Sequence, residues 1–239
     1  MYLNEEYSQI AEYLLDFVNG AERVLEVGCG TGHWLDLLGK RVPLVAGVDP
    51  SAGMLRQAHT GVENTSLVRG RAESLPFRSQ SFDRIFCINA FHHFSDKIAF
   101  IAEARRVLGP EGALLTLGLD PHTGRDRWWV YDYFDETLEI DKRRYPPASE
   151  IRAWMERAGF GNCATREVQH LPSERVAESA EQSGLLEASS TSQLTVLKED
   201  EYERGVNRLR KDMDEARERG KELLLAADLL LYGTIGWSD

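Results

Sequence analysis

Hydrophobic residues in the first half of the chain follow two spacings. Near the N-terminus they recur at helical intervals and predict a helix that ends before Gly20. The residues that share its apolar stripe are Tyr7, Ile10, Ala11, Leu14 and Leu15. Further on, apolar runs too short for full helices predict strands at 24–27, 44–48, 66–68, 85–88 and 113–119. Strands that alternate with helical segments are typical of an α/β protein whose parallel sheet has helices on both faces.

The pattern continues less regularly after residue 147. Ser149 is in position to cap a predicted helix that stops at Gly159. The apolar positions of that helix are Ile151, Trp154, Met155 and Ala158. A strand is predicted to follow around 163–169.

Two segments near the C-terminus complete the pattern. Residues 171–198 are rich in Ser and Glu with weak periodicity, and a heptad-spaced apolar stripe then predicts a helix with a charged face. The stripe consists of Tyr202, Val206, Leu209, Met213 and Ala216. It is too short for a coiled coil, which favours packing on its own domain, with a homodimer contact as the alternative. The last apolar run, 223–237, begins like a helix and ends like a strand.

Composition and length bound the class of protein. The chain has 239 residues, of which 42% are hydrophobic, enough for one good-sized core. It has no run of about eighteen apolar residues and no basic and apolar leader, so we expect a cytoplasmic protein without a membrane span. The cysteines, at 29, 87 and 163, share no metal-ligand spacing, which favours reduced thiols. Because we find neither a linker nor an internal repeat, we predict that residues 1–239 form a single domain.

The charge balance argues against one class of partner. The formal net charge is −11 and the pI is about 5.1. Binding to nucleic acid depends mainly on contacts between Lys or Arg and phosphates. We therefore do not expect a nucleic-acid partner.

The most informative local feature is a glycine turn followed by an acid. Residues 24–32 read VLEVGCGTG, an apolar run that breaks into alternating glycines, and Asp49 closes the next apolar run nineteen positions after Gly30. Glycine lets the backbone of a strand-to-helix turn approach a ligand, and an acid at the tip of the next strand can accept hydrogen bonds from two ribose hydroxyls. The spacing is that of a βαβ half-unit, so these residues predict a cofactor that contains a nucleoside.

Residues in and beside this turn discriminate between cofactors. A dinucleotide fold would have the third glycine of its G-x-G-x-x-G pattern at residue 33, where the chain has His33. Glu26, two residues ahead of the first glycine, would repel a diphosphate but attract an ammonium group. These residues therefore favour a cofactor with a ribose, a free amino group and no phosphate, and S-adenosylmethionine has this composition.

Further motifs follow in order along the chain. They read DPSAGML at 49–55, GRAESLPF at 70–77, SFDRIFCINAFHHF at 81–94 and EARRVLGPEG at 103–112. Together with the glycine turn, they resemble class I S-adenosylmethionine-dependent methyltransferases, in particular the ubiquinone- and menaquinone-biosynthesis-like (methyltransferase type 11) family. The resemblance covers about residues 20–120, half of the chain.

The resemblance implies a fold and an arrangement of segments. The fold would be a Rossmann-like, doubly wound, seven-stranded and mostly parallel sheet whose last strand is antiparallel, with helical insertions after strands 5 and 6. We accordingly expect an N-terminal helix or lid at 1–20 and a cofactor-binding core at 21–120. An aromatic substrate-side insertion would span 121–147, and a helical insertion before the last strand would span 171–220.

The resemblance also implies S-adenosyl-L-methionine as the methyl donor and S-adenosyl-L-homocysteine as the product. Asp49 would bind the ribose, and the main-chain amide of Ala72 would meet the adenine ring. Arg71 stands where the family has an Asp that often contacts the exocyclic amine of adenine. The predicted cofactor-binding residues are Glu26, Gly28, Cys29, Gly30, Asp49, Met54, Ala72, Glu73 and Asn89.

Two adjacent histidines follow the fourth strand. His93, or its neighbour His92, is the candidate general base for an acceptor that arrives protonated, because imidazole titrates near neutrality. The alternative is that both are packing and turn residues that shape the pocket. We predict no metal site, because adjacent histidines on an extended backbone point apart and no third ligand is nearby in the sequence.

Residues 121–147 are far richer in aromatic side chains than the chain as a whole, which contains 9%. They are Trp128, Trp129, Tyr131, Tyr133, Phe134 and Tyr145. This density predicts the wall or lid of a pocket for a flat or apolar small-molecule acceptor, with core packing as the alternative. Tyr2 and Tyr7 are candidates to close the site from the other side, although Tyr7 also fits a core stripe.

These observations favour a methyltransferase that acts on a small molecule by in-line methyl transfer. A non-catalytic module that binds S-adenosylmethionine and regulates a partner is an alternative, because the motifs describe a binding site better than a reaction. A nicotinamide oxidoreductase is disfavoured by His33. A protein or nucleic-acid methyltransferase is a further alternative, but residues 89–92 read NAFH instead of the D-P-P-Y or N-P-P-Y motif.

Overall fold

The five strands predicted in the first half of the chain lie parallel in one sheet of the computed structural model, which describes residues 7–58 and 64–238. Their order across the sheet is β3-β2-β1-β4-β5. Their bounds are β1 Arg23–Val27, β2 Leu44–Asp49, β3 Thr65–Arg69, β4 Phe82–Ile88 and β5 Leu108–Leu119. The central strands are buried on both faces, which explains why they read as continuous apolar runs in the sequence.

Three later strands complete the sheet. They are β6 Arg127–Trp128, β7 Phe160–Val176 and β8 Leu224–Ser238. The end of β8 runs antiparallel to β5, with Trp237 opposite Ala113, and β7 also pairs with β8. The predicted Rossmann-like, mostly parallel sheet with an antiparallel last strand is therefore confirmed. In the described part of the chain it has eight strands instead of seven, because the two-residue β6 pairs with the beginning of β8.

Helices connect most of these strands. Their bounds are α1 Ser8–Phe17, α2 His33–Leu38, α3 Ala52–Gln57, α4 Lys97–Val107, α5 Trp129–Tyr133, α6 Thr137–Arg144, α7 Ala148–Arg157, α8 Ala177–Gln182 and α9 Glu199–Glu218. As predicted, helices are inserted after the fifth strand and again between β7 and β8. Among the helices in the described ranges, none has both the length and the apolar composition needed to cross a bilayer.

The chain divides into two units. Among the described residues, the core unit takes in those up to Leu119, Pro147–Gln169 and those from Leu231 onward. The insertion unit consists of Asp120–Pro146 and His170–Leu230. It is therefore built mainly from the segments predicted as insertions, while the single domain stays a prediction.

Two local predictions are wrong. Ser149 does not cap α7, because the helix already begins at Ala148 with Pro147 at the N-cap position. The positive φ of Gly159, 86°, does follow the end of that helix as expected. The run from residue 223 does not begin as a helix, since β8 is extended from Leu224 onward. Cross-strand pairing of Asp228 with Arg127 supplies hydrogen bonds there that local sequence does not reveal.

The core unit is anchored at the start of its strands by one carboxylate. Asp83, near the start of β4, accepts hydrogen bonds from the amides of Glu22 and Arg23 at 3.0 and 2.8 Å. The Arg23 guanidinium donates a third at 2.6 Å. These bonds join β1 to β4 at the end of the sheet where both strands begin.

The insertion unit has its own apolar core. Trp129 and Phe134 of the α5 region pack there with the predicted stripe of α9, including Val206 and Leu209. All of the stripe except Ala216 therefore packs within this unit, as predicted. Gly205 lies in α9 against Phe134, and a Cβ added to Gly205 would come within 2.2 Å of the Phe134 ring.

We predict that Gly205→Ala destabilises the protein even though alanine is the better helix former. Higher helix propensity contributes about 1 kcal/mol, but overpacking a buried ring typically costs about 1–3 kcal/mol and more where backbone must shift. Urea unfolding should show a lower free energy of unfolding than the wild type. Asn207→Ala, at an exposed position of the same helix, is the matched control and should be neutral or slightly stabilising. Equal stability of the two variants would refute this packing.

Candidate functional site

A cavity of about 560 Å³ opens in the core unit where strands β1 to β4 end. Its walls come from the segment that follows each of these strands, so four sequence motifs meet at one place. Most of the predicted site residues line it. They are Gly28, Gly30, Asp49, Met54, Ala72, Glu73, Asn89 and His93. The two other predicted residues, Glu26 and Cys29, are buried and are not part of the lining.

Asp49 joins the ends of the first two strands. One carboxylate oxygen accepts a hydrogen bond from the amide of Gly30 at 3.0 Å, and the other accepts one from the amide of Ser51 at 2.8 Å. A carboxylate oxygen can accept two hydrogen bonds, so each keeps capacity for a hydroxyl in the cavity. The side chain is thus held in place and can still bind a diol.

The glycines of the turn have different roles. Gly28, Gly30 and Gly32 all have positive φ, at 78°, 52° and 80°, a region that glycine enters without steric cost. A Cβ on Gly28 would lie 2.5 Å from the Cβ of Ala90, so the turn can pack against the end of β4 only without a side chain. A Cβ on Gly30 would meet nothing within 4 Å. Gly30 therefore leaves open space beside the Asp49 carboxylate.

Glu26 is a buried acid close to the cavity. Its side chain lies on β1 and is 2% exposed, and no described residue hydrogen-bonds its buried Oε2 atom. Burial and the nearby Asp49 carboxylate raise the pKa of Glu26 well above its usual value. A buried acid without a partner is uncommon and is stabilised by a cation.

Cys29 is a packing residue of the turn. A Cβ on Gly47 of β2 would come within 2.8 Å of its Sγ atom, so the thiol fills the space that this glycine leaves. Burial and the nearby acids raise the pKa of Cys29 to about 12. Its thiol is therefore protonated at neutral pH and unsuited to nucleophilic catalysis.

Glu73 connects the walls that follow β3 and β4. Its Oε1 accepts hydrogen bonds from the amide and hydroxyl of Ser95, at 2.8 and 2.7 Å, and Arg71 pairs with its Oε2 at 3.4 Å. Burial raises its pKa, but the hydrogen bonds from Ser95, together with those from the Glu73 and Asp96 amides, outweigh burial and bring it to about 2. Arg71 also donates to the Ser95 hydroxyl at 2.9 Å. The arginine thus contributes to a bridge across the cavity wall.

The two histidines do not lie on an extended backbone. Phe91–His93 forms one turn of 3-10 helix, closed by a hydrogen bond from the His93 amide to the Ala90 carbonyl. The two imidazole rings therefore lie close together, with centroids 3.9 Å apart and planes inclined at 44°, and the expectation that they point apart is wrong. His92 is buried, whereas His93 is exposed and lines the cavity.

The aromatic residues of 121–147 are distributed within the insertion unit. Trp129 and Phe134 are buried in its core, which supports the packing alternative for these two. Tyr131 donates a hydrogen bond to the buried carboxylate of Asp141 at 3.0 Å. Among the described residues, the cavity lining includes none of these six aromatic residues and does not include Tyr7. A role in acceptor binding stays a prediction, and Tyr2 lies outside the described residues.

Sequence reasoning missed some residues of the lining. Phe94 and Ser95 follow the histidine turn and contribute to the cavity, yet neither was predicted as a site residue. Asp96 caps α4 by accepting a hydrogen bond from the Ala99 amide at 2.9 Å. This capping pattern marks the start of a helix after a strand, and it could have indicated that Ser95 lies at the edge of the sheet.

Comparison with known proteins identifies the matching part of the chain. Residues 25–116 match a family model described as a methyltransferase domain. The demethylmenaquinone methyltransferase of Thermotoga maritima is 35% identical over 132 residues, which cover 54% of this chain and 57% of that protein. The uncharacterized methyltransferase YcgJ of Bacillus subtilis is 38% identical over 125 residues, covering 48% and 49%. The chain thus spans about half the length of these curated relatives.

Solved structures show the same fold over nearly the whole chain. The crystal structure of YcgJ from Bacillus subtilis has a TM-score of 0.62 at 23% identity and covers 94% of this chain and 97% of its own. Phosphoethanolamine N-methyltransferase 2 of Haemonchus contortus, in complex with S-adenosyl-L-methionine, has a TM-score of 0.59 at 17% identity, with 97% and 52% covered. Residues 25–116, which line the cavity, match the methyltransferase domain family that the motifs lead us to expect.

Proposed function

We propose that this protein is an S-adenosyl-L-methionine-dependent methyltransferase that acts on a small-molecule acceptor and forms S-adenosyl-L-homocysteine. The observation that carries the proposal is the convergence of four strand ends on one cavity within the segment that matches the methyltransferase family. A volume of about 560 Å³ is in the range of small-molecule sites, which is about 300–1,000 Å³.

The residues present fit this methyl donor. The Asp49 carboxylate keeps two acceptor positions for the ribose hydroxyls while the Gly30 and Ser51 amides hold it. Glu26 is buried, and no described residue hydrogen-bonds its Oε2. Its raised pKa favours the protonated acid in the free protein, and loss of that proton would let the carboxylate pair with an amino group on the ligand. The open space at Gly30 admits a ligand close to the backbone.

The bound donor would supply a methyl group that is already activated, because it is bonded to a positively charged sulfur. The chain then has to align the acceptor atom behind that methyl group and keep water out, and alignment alone can lower a barrier by roughly 7–11 kcal/mol. His93 lines the cavity and is our candidate base for an acceptor that carries a proton. Its exposure leaves the imidazole able to exchange protons with solvent.

The relatives suggest which acceptor to test first. The Thermotoga maritima protein and a Staphylococcus aureus protein are both named demethylmenaquinone methyltransferase, and the latter is 29% identical over 161 residues. A reduced demethylated naphthoquinone is therefore the first acceptor, followed by a metabolite extract, each with donor labelled in its methyl group. Label that appears in a small molecule supports the proposal. Label that never leaves the donor would favour a non-catalytic binding module.

We predict that Asp49→Asn weakens binding of S-adenosyl-L-homocysteine by roughly 10–100-fold. Hydrogen bonds to a charged group contribute about 1.5–3 kcal/mol, and each 1.4 kcal/mol is about tenfold in affinity. Asp36→Asn removes an equal charge from an exposed position outside the cavity and should bind like the wild type. Calorimetry measures both dissociation constants. Wild-type affinity in Asp49→Asn would contradict the assignment.

We predict that donor binding releases a proton from Glu26. The raised pKa keeps its carboxyl protonated in the free protein at a pH where an exposed Glu is ionised. A bound ammonium group favours the carboxylate, so between the bound and free pKa values the affinity rises with pH. Calorimetry in two buffers with different protonation enthalpies should therefore give different heats. The difference should be absent in Glu26→Gln, and equal heats for the wild type would refute the coupling.

We predict that His93→Ala leaves the donor dissociation constant unchanged and lowers kcat by about 10²–10⁴, the usual contribution of a general base. His33→Ala, at an exposed position outside the cavity, controls for the loss of an imidazole. Steady-state kinetics with the identified acceptor provide the measurement. A normal kcat in His93→Ala would show that the imidazole is not a base.

A further inference from the structure

The loop between β3 and β4 forms one wall of the cavity without regular secondary structure. Gly70, Arg71, Ala72 and Glu73 line the cavity, and a single bridge between Arg71 and Ser74 is the only strand-like pairing recorded between residues 70 and 81, all of which are described. Polar backbone groups in such a loop need partners from elsewhere in the fold.

Two side chains of α4 supply these partners. Glu103 accepts a hydrogen bond from the Leu75 amide at 2.8 Å. Arg106 donates to the carbonyl oxygen of Leu75 at 3.0 Å and to that of Phe77 at 2.8 Å. One helix therefore holds three backbone groups of the loop directly after its cavity-lining part.

Glu103 and Arg106 also hold each other. The Arg106 guanidinium donates to both oxygens of Glu103 at 2.7 Å, in the forked geometry that arginine favours with carboxylates. The hydrogen bond from Arg106 lowers the pKa of Glu103 more than its partial burial raises it, so both groups are charged at neutral pH. A charged, doubly bonded pair gives the loop a fixed support.

Neither residue lines the cavity. Leu75 and Ala72 are both buried, at 4% and 6% exposure, so a displacement of the loop at Leu75 changes the packing of the cavity wall three residues earlier. The wall at Glu73 is attached separately, through Ser95. The support from α4 therefore acts on the part of the wall around Ala72.

We propose that Glu103 and Arg106 are positioning residues for the methyl donor, which hold the loop at 70–77 in the conformation that forms the donor-binding wall. The inference rests on the proposed function, because it takes the cavity to be the donor site. Binding sites lose affinity when the supporting residues allow displacements well below 1 Å, so the effect should appear in binding.

The test compares Arg106→Lys and Glu103→Gln with the wild type. Lysine keeps the charge but cannot reproduce a rigid fork to two carbonyls and a carboxylate, whereas Gln keeps an acceptor for the Leu75 amide. By calorimetry, we expect S-adenosyl-L-homocysteine to bind Arg106→Lys about tenfold more weakly than the wild type. For Glu103→Gln we expect a smaller loss of affinity. Hydrogen exchange of the loop at 70–77 should be faster in Arg106→Lys.

Asp83→Asn is the matched control. Like Glu103, Asp83 is a carboxylate that accepts hydrogen bonds from backbone and from an arginine. It lies at the other end of the sheet, where β1 and β4 begin. This variant should lose stability without losing affinity.

The outcomes separate the inference from the proposed function. If the wild type binds the donor and both variants fold and bind it with the same affinity, the inference is overturned but the proposed function is not. An equal loss of affinity in Asp83→Asn would also overturn it, since general destabilisation would then explain the effect. Wild-type protein that binds no donor would overturn the proposed function together with the inference. If Arg106→Lys does not fold, the test rests on Glu103→Gln. Weaker binding than in the wild type supports the inference, and equal binding overturns it.

Discussion

The site depends on one geometric constraint: parallel strands end at the same edge of a sheet, and the strand order reverses beside β1. The chain passes from β1 to β2 and β3 on one side and then returns to β4 and β5 on the other. Loops leaving β1 and β4 therefore diverge, and an open crevice is left between them. The cavity, the glycine turn and the acid at residue 49 all follow from that arrangement.

Three carboxylates around this edge have different environments and therefore different roles. Asp49 is held by amides but keeps free acceptor positions, which suits ligand binding. Glu73 is bonded to Ser95 and paired with Arg71, so it chiefly joins two loops of the protein. Glu26 is buried with Oε2 unpartnered among the described residues, a state that a cationic ligand would stabilise. Residue type alone does not distinguish these roles, because the surroundings determine them.

Much of the fold could be predicted from the sequence because the parallel strands are buried on both faces. Residues such as Leu25 and Ile85 are fully buried, and runs of this type leave a clear pattern. The beginning of β8 has no such pattern in the sequence, because at Asp228 it pairs with residues about a hundred positions away. The cap at Ser149 failed for a simpler reason, namely that Pro147 already occupies the N-cap position.

The site was predictable to the extent that its residues carry local signals at strand ends. Gly30, Asp49 and Ala72 do so, and the structure brings them together. Spacing does not give the direction of a side chain, so Glu26 and Cys29 could not be recognised as buried residues behind the lining. The turn that brings the two histidine rings close together depends on backbone hydrogen bonding at Ala90, which no motif encodes.

Calorimetric titration of the wild-type protein with S-adenosyl-L-homocysteine, and separately with a nicotinamide dinucleotide, tests the central claim most directly. The account predicts saturable binding of one S-adenosyl-L-homocysteine per chain, displaced by S-adenosyl-L-methionine, and no binding of the dinucleotide. Saturable binding of the dinucleotide without uptake of the sulfur nucleoside would contradict it.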